Sequence, residues 1–229
     1  MKQHDLRPTV HDVRRGDACA VPCGCQIFNP DDLRIQVAAI LRIHGYARPD
    51  EAPLGVREAA VQSASRIGAF CSPTVWYREV CVEQCSAGIL TLDGGVILRC
   101  RDFAALAECQ SVIVFVLTLG HALDREVRRH MQETELVEAL FMETAAWLAV
   151  EQVTRAFVVS LRASLAQRGL VPTRRLAPGY ADWPVGEQEL LLSFLGAKKS
   201  GGIPVDVLSS GAMVPKMSRS GLYGLTCAG

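Results

Sequence analysis

The 229 residues suffice for a single domain with a sizeable core, and 49% apolar against 21% charged residues is the balance of an ordinary globular protein rather than a disordered or membrane-spanning one. Lysine and arginine (24) equal aspartate and glutamate (24), so no basic face is implied and nucleic acid is not an expected partner. Nine cysteines, an odd number behind a polar start with no leader-like apolar run, argue against a disulfide framework and give an expected cytoplasmic location.

In chain order, residues 1–30 read as an irregular segment punctuated by Pro8, Pro22, Gly24 and Pro30. Residues 31–229 read as one domain whose first part, 31–70, is helical. Asn29-Pro30-Asp31-Asp32 predicts a helix start, and Leu33, Val37, Ile40 and Leu41 give an apolar stripe that Gly45 ends. A second helix is predicted from about Asp50 to Ile67. Val75 to Val82 is rich in β-branched and aromatic residues and reads as a strand. Residues 88–98 read as a hairpin turning at Asp93-Gly94-Gly95, where glycine supplies positive φ angles.

A short helix near 102–107 leads to a buried strand over 112–118, whose apolar run is too short to span a bilayer. Helices follow over 121–131 and 136–168, the second capped by Gly169, with Pro172 preventing its return. A helix over 186–195, a connector over 198–202 and short strands near 205–208 and 219–225 complete the chain. Hairpins with irregular alternation of strand and helix predict an α+β fold, with a mixed or mostly antiparallel twisted sheet and flanking helices.

The segment Arg175-Leu176-Ala177-Pro178-Gly179-Tyr180 carries the strongest chemical signal. It sets one fixed cation beside backbone that proline and glycine force out of helix and strand. A guanidinium pairs with a carboxylate through two parallel hydrogen bonds, and a Pro-Gly turn leaves N–H and C=O groups free for a ring's edge. By the residues alone, an ordinary surface turn with a solvated Arg175 is the competing reading. Glu143 and Glu151 lie eight residues apart on the long helix and share a face with Trp147. Glu151 is also spaced to pair with Arg155 one turn on. Cys19, Cys23 and Cys25, and Cys81 with Cys85, are the thiol clusters, but neither spacing is that of a C-x-x-C site. His121 is read as a helix-start residue, and Trp183 is expected to be buried.

Arg175, Gly179 and Tyr180, in the pattern R-x-x-x-G-Y followed by Ala181-Asp182-Trp183-Pro184, resemble the activation domain of cobalamin-dependent methionine synthase. The segment Ile203 to Gly221 is similar to that family's L-T-E-S-x-x-M-x-P-x-x-S-V-S-G block, and Leu117-Thr118-Leu119-Gly120 is a weaker third likeness. Together they span about half of the chain, from near 111 to 224.

The resemblance implies an S-adenosylmethionine-binding, stand-alone reactivation subunit. It would present the methyl donor to cobalamin on a corrinoid-binding protein or methionine synthase subunit, with a flavodoxin-like protein as electron donor. Arg175 would hold the carboxylate of S-adenosylmethionine, and the backbone of Ala177 and Tyr180 would meet its adenine. Glu143 or Glu151 would face its amino group or sulfonium. Ser209 stands where the family has Glu, and a C-terminal Tyr-bearing segment has no counterpart. The alternatives are a corrinoid-protein docking module without S-adenosylmethionine binding, a cysteine-based redox or metal protein, and an unrelated small-molecule methyltransferase.

Overall fold

The segment Ser111–Thr118 carries apolar residues at every position between its ends, so as a strand it must be covered on both faces. The structure, a computed structural model, describes residues 6–12, 23–196 and 203–228. Its strands are β1 (Pro8–Asp12), β2 (Cys23–Phe28), β3 (Thr74–Ser86), β4 (Ile89–Leu92), β5 (Val96–Arg99), β6 (Ser111–Thr118), β7 (Leu170–Pro172), β8 (Asp206–Val207), β9 (Met213–Val214) and β10 (Ser218–Cys227). The helices are α1 (Val37–Ile43), α2 (Leu54–Arg66), α3 (His121–Gln132), α4 (Leu136–Ala166) and α5 (Gln188–Ser193). The main sheet runs β1-β2-β3-β6-β10-β7, with the hairpin β4–β5 on the far half of β3, and its pairings are antiparallel. The α+β expectation therefore holds, with the sheet antiparallel.

Alternation along β6 divides the interior in two. Ile113, Phe115 and Leu117 face a core built with α1 to α4, where Phe115 stacks on Tyr223 at 5.3 Å between ring centres. Val112 and Val114 face a second core formed with the hairpin, Phe103 and Trp183. The 31-residue α4 crosses the first face and buries Phe141, Ala145, Ala149, Val153, Phe157 and Leu161 against it. No helix among the described residues is long and apolar enough to cross a membrane.

Several boundaries depart from expectation for identifiable reasons. Residues 1–30 are not irregular throughout: β1 and β2 extend the sheet, and Gly24 of β2 sits under the Tyr77 ring of β3. The helix start at Asn29 is a single 3-10 turn, with the Asp31 N–H donating to Asn29 Oδ1 at 3.1 Å, and α1 begins only at Val37. Between them Gln152 of α4 grips the backbone of Arg34 through both its carbonyl and its amide, holding that stretch extended. Pro53 splits the next helix by forcing Ala52 into an extended conformation, so α2 starts at Leu54. Pro172 does more than stop a helix: it lies in β7, opposite Leu225, on an edge strand where its missing N–H costs nothing. The hairpin turn is as expected, with Gly94 at φ +83° and Gly95 at φ +72°. The connector at 198–202 lies outside the described residues.

Glu79 ties the end of α4 to the sheet. Arg168 donates to it through two nitrogens at 2.6 and 2.9 Å, and Ser111 Oγ through a third bond at 2.7 Å. The Arg168 hydrogen bond holds the Glu79 carboxyl below the usual carboxylate range, although burial pushes the other way. A depressed carboxyl stabilises the fold above its unfolded value, about 4.3, and that stabilisation disappears as pH falls through the folded value. Glu79→Gln should therefore cost about 1–2 kcal/mol at pH 7, toward the low side because Arg168 is half exposed. Its deficit should vanish in acid, which urea titrations from pH 7 to pH 3 would show; a constant deficit would remove charge from the account.

Candidate functional site

The loop after β7 is held to the side of β10 that β6 leaves open. Thr173 N–H donates to Gly224 O at 2.9 Å, and Leu176 and Leu222 exchange two backbone bonds at 3.0 and 2.8 Å. That approach needs glycine at 221, where φ is +150° and a Cβ would meet Leu176 O at 2.5 Å. Beyond Leu176 the chain turns through Pro178-Gly179, with Tyr180 N–H donating to Ala177 O at 3.2 Å and Gly179 N–H to Trp183 O at 2.9 Å. Gly179 adopts φ +85°. Trp183 anchors the turn: its ring is buried edge-on to Phe103 at 4.8 Å, and its Nε1–H donates to Glu187 at 2.8 Å. The expected burial of Trp183 is what the structure shows.

Arg175 is half-buried rather than splayed into solvent. Its Nη1 donates to Ser220 O at 2.8 Å and its guanidinium carbon lies 5.1 Å from the centre of the Tyr180 ring. Among the described residues it makes no salt bridge, so most of its five N–H donors are unspent. Beside it opens a cleft of about 210 Å³ between the Arg175 loop, the start of β10 and α4. Arg175, Ala177 and Tyr180 line it together with Trp147, Met217 and Ser220. A smaller hollow of about 110 Å³, bounded by Cys100, Asp102 and Trp183, lies against the same three loop residues. Tyr180 and Trp147 expose large aromatic surfaces, 62% and 50% of each residue.

The structure distributes the remaining sequence-expected residues unevenly. Gly179 shapes the loop but is absent from the cleft lining. Glu151 pairs with Arg219 of β10, which also donates to Thr154 Oγ1 at 3.2 Å, rather than with Arg155. The Arg219 hydrogen bond holds the Glu151 carboxyl below the usual range against the opposing effect of burial. Glu143 is taken by Lys216 Nζ at 2.5 Å, while the Lys216 backbone N–H donates to Asp124 at 2.8 Å. Ser209 is exposed on the tight turn between β8 and β9 and is not among the residues that line the cleft. Of the thiol clusters, Cys19 lies outside the described residues, Cys81 is exposed, and Cys85 donates to Phe103 O at 3.1 Å in the second core. Among the described residues no group of three or more metal-ligating side chains is assembled.

Arg219 and Gln188 escaped the sequence reading. Arg219 stands where the resembled segment has Val, and a charge at an inward strand position demands a partner, so that departure was the signal. Gln188 donates to the buried Ser220 hydroxyl at 2.6 Å and braces the strand under the cleft; nothing in its spacing marks it. Among the described lining residues no nucleophile is hydrogen-bonded to a base.

Comparison with known proteins points the same way at the level of fold. No family model matches the chain, and no curated protein does. Solved structures do match. One is the MetH reactivation domain bound to AdoHcy, similar over 98% of this chain and 82% of that one, with a TM-score of 0.57 and 14% sequence identity. The chain thus has the fold of that reactivation domain, a curled antiparallel sheet with flanking helices.

Gly221→Ala tests how the loop is seated. The new Cβ would overlap Leu176 O and crowd Arg175 Cγ at 3.2 Å, so stability should drop by about 1–3 kcal/mol in denaturant titrations. An unchanged midpoint would mean that the loop is not pressed on β10 at this point.

Proposed function

We propose that the cleft binds S-adenosylmethionine and presents its methyl group to a corrinoid cofactor carried by a partner protein, reactivating a cobalamin-dependent methyltransferase of the methionine synthase type. The single observation that carries this reading is the Arg175 guanidinium, half-buried, without a carboxylate partner among the described residues and seated beside an aromatic-lined cleft. Its remaining donors suit a ligand carboxylate. The likeness of fold to a reactivation domain bound to AdoHcy supports the same ligand class.

The residues present fit such a ligand. Arg175 would take the carboxylate, and the backbone of the Ala177–Tyr180 turn would meet the adenine edge. Tyr180 and Trp147 offer flat apolar surface for a ring or for the sulfonium substituents. Glu151 and Glu143, paired with Arg219 and Lys216, would face the positive end of the ligand only through those cations. The bound sulfonium would supply the methyl group. Its acceptor would be cobalt on the partner, with an electron from a flavodoxin-like donor, leaving the thioether as product. The work of this chain would be positioning, which lowers the entropic part of the barrier without any acid or base.

Isothermal titration with S-adenosylmethionine tests the assignment. Arg175→Ala should weaken binding by about 1.5–3 kcal/mol, roughly 10- to 150-fold. Unchanged affinity in a folded variant would take Arg175 out of the site. Absence of binding to the unaltered protein, together with retained binding of a corrinoid protein, would leave a docking module instead.

A further inference from the structure

The smaller hollow beside the Arg175 loop lies between two segments that are clamped together. Cys100, Arg101 and Asp102 follow directly after β5. Asp182, beyond the turn of the loop, accepts from the Arg101 N–H at 3.0 Å, from Arg101 Nε at 2.9 Å and from the Cys100 thiol at 3.2 Å. Arg174, at the start of the loop, donates to Asp102 Oδ2 at 2.9 Å. Leu176 and Trp183 give the hollow buried apolar wall, and Tyr180 gives it an exposed aromatic one. Its shape is therefore fixed from both sides.

Most of its polar groups are already used. The Cys100 thiol is spent on Asp182, and Trp183 Nε1 on Glu187. Asp102 is different. Among the described residues its carboxylate takes one side-chain hydrogen bond, from Arg174, whereas a carboxylate can accept about four. Stability does not account for the pair. The Arg174 and Asp102 side chains are 63% and 34% exposed, and an ion pair so wet contributes little to the fold. What the pair does supply is an anionic acceptor next to a cationic donor, at the border of a hollow with flat apolar walls.

The volume limits what can enter. The hollow measures about 110 Å³, well under the ~300 Å³ of a small ligand pocket, so it suits one group of a ligand rather than a whole one. It shares Arg175, Ala177 and Tyr180 with the larger cleft. A ligand lying across the loop can thus have its carboxylate at Arg175 and a flat ring in the hollow. An acceptor beside a donor matches the edge of a 6-aminopurine, whose amino group donates next to a ring nitrogen that accepts. A 6-oxopurine puts an oxygen in place of that amino group, and two acceptors then face each other.

We infer that the hollow receives the adenine ring of the ligand held in the cleft, and that Asp102 is its specificity-determining residue. Asp102 accepts from the exocyclic amino group while Arg174 faces a ring nitrogen, and the backbone of the Ala177–Tyr180 turn meets the remaining edge. This rests on the S-adenosylmethionine reading and adds to it the group that tells adenine from other bases.

Isothermal titration of the full chain with S-adenosylhomocysteine and S-inosylhomocysteine tests it, since the two differ only at the purine 6-position. The adenosyl ligand should bind at least about tenfold more tightly, a comparison that needs no variant. Asp102→Ala should weaken the adenosyl ligand by about tenfold, leave the inosyl ligand unchanged or improved, and so bring the two close to equality. A merely structural role for Asp102 would lower both affinities alike and keep their ratio. Equal binding of the two ligands by the unaltered protein, or a ratio unchanged in Asp102→Ala, overturns the assignment while leaving the S-adenosylmethionine reading in place. Failure of the unaltered protein to bind either ligand defeats that reading, and the Asp102 assignment with it.

Discussion

The Arg175 loop is placed by one close contact between backbones. β10 gives one side to β6 along its length, but its other side is shared out. β7 covers residues 225–227, Leu176 pairs with Leu222, and then the Arg175 guanidinium takes over, accepting the role of a strand by bonding Ser220 O. Past that point β10 has no strand neighbour on this side, and the cleft begins there. An uncovered sheet edge is a liability that proteins usually blunt with charge or cover with other elements. Here a side chain, a Pro-Gly turn and Lys216 perform that office while leaving a hollow. Without a bare Cα at 221 the loop could not come near enough for any of this.

Charge in the site is arranged so that its acids are already engaged. Glu151 holds Arg219 at the start of β10 and Glu143 holds Lys216 just before it, which docks that end of the strand on α4. The Arg219 hydrogen bond holds the Glu151 carboxyl below the usual range, which makes it a poor proton acceptor near neutral pH. Among the described residues the lining charge without a salt bridge is cationic, that of Arg175. A guanidinium placed in this way is suited to pairing with an anionic group.

The sequence made the strongly patterned elements plain. β6 announces itself by an unbroken apolar run, α4 by its length, and the β4–β5 hairpin by Asp93-Gly94-Gly95. Arg175 and the kinked turn after it were legible because proline and glycine restrict backbone locally. What stayed hidden depends on distant partners. β2 is short and interrupted by Gly24, and it becomes a strand by pairing with β3, whose Tyr77 roofs that glycine. The stretch 33–36 could have been helix by its own propensity, but Gln152, more than a hundred residues away, holds its backbone extended. Glu151 could reach Arg155 one turn on; a residue brought in from β10 competes and wins by being less exposed, 15% against solvent for its side chain.

The cysteines can be weighed on the same physical footing. A thiol serves as nucleophile, redox centre or metal ligand in its thiolate form, so its environment must favour negative charge. The second core does the reverse. Burial pushes the Cys85, Cys100 and Cys109 thiols up, and at Cys100 the Asp182 carboxylate that accepts its hydrogen bond at 3.2 Å adds to the rise. Cys71, in the first core, is pushed up to about 12. These four behave as small apolar side chains that fill space between sheet and helices. Cys81 and Cys227 are exposed on different strands, Cys81 on β3 and Cys227 at the end of β10. A cysteine-based redox role finds no support in those four, whose surroundings favour the protonated thiol.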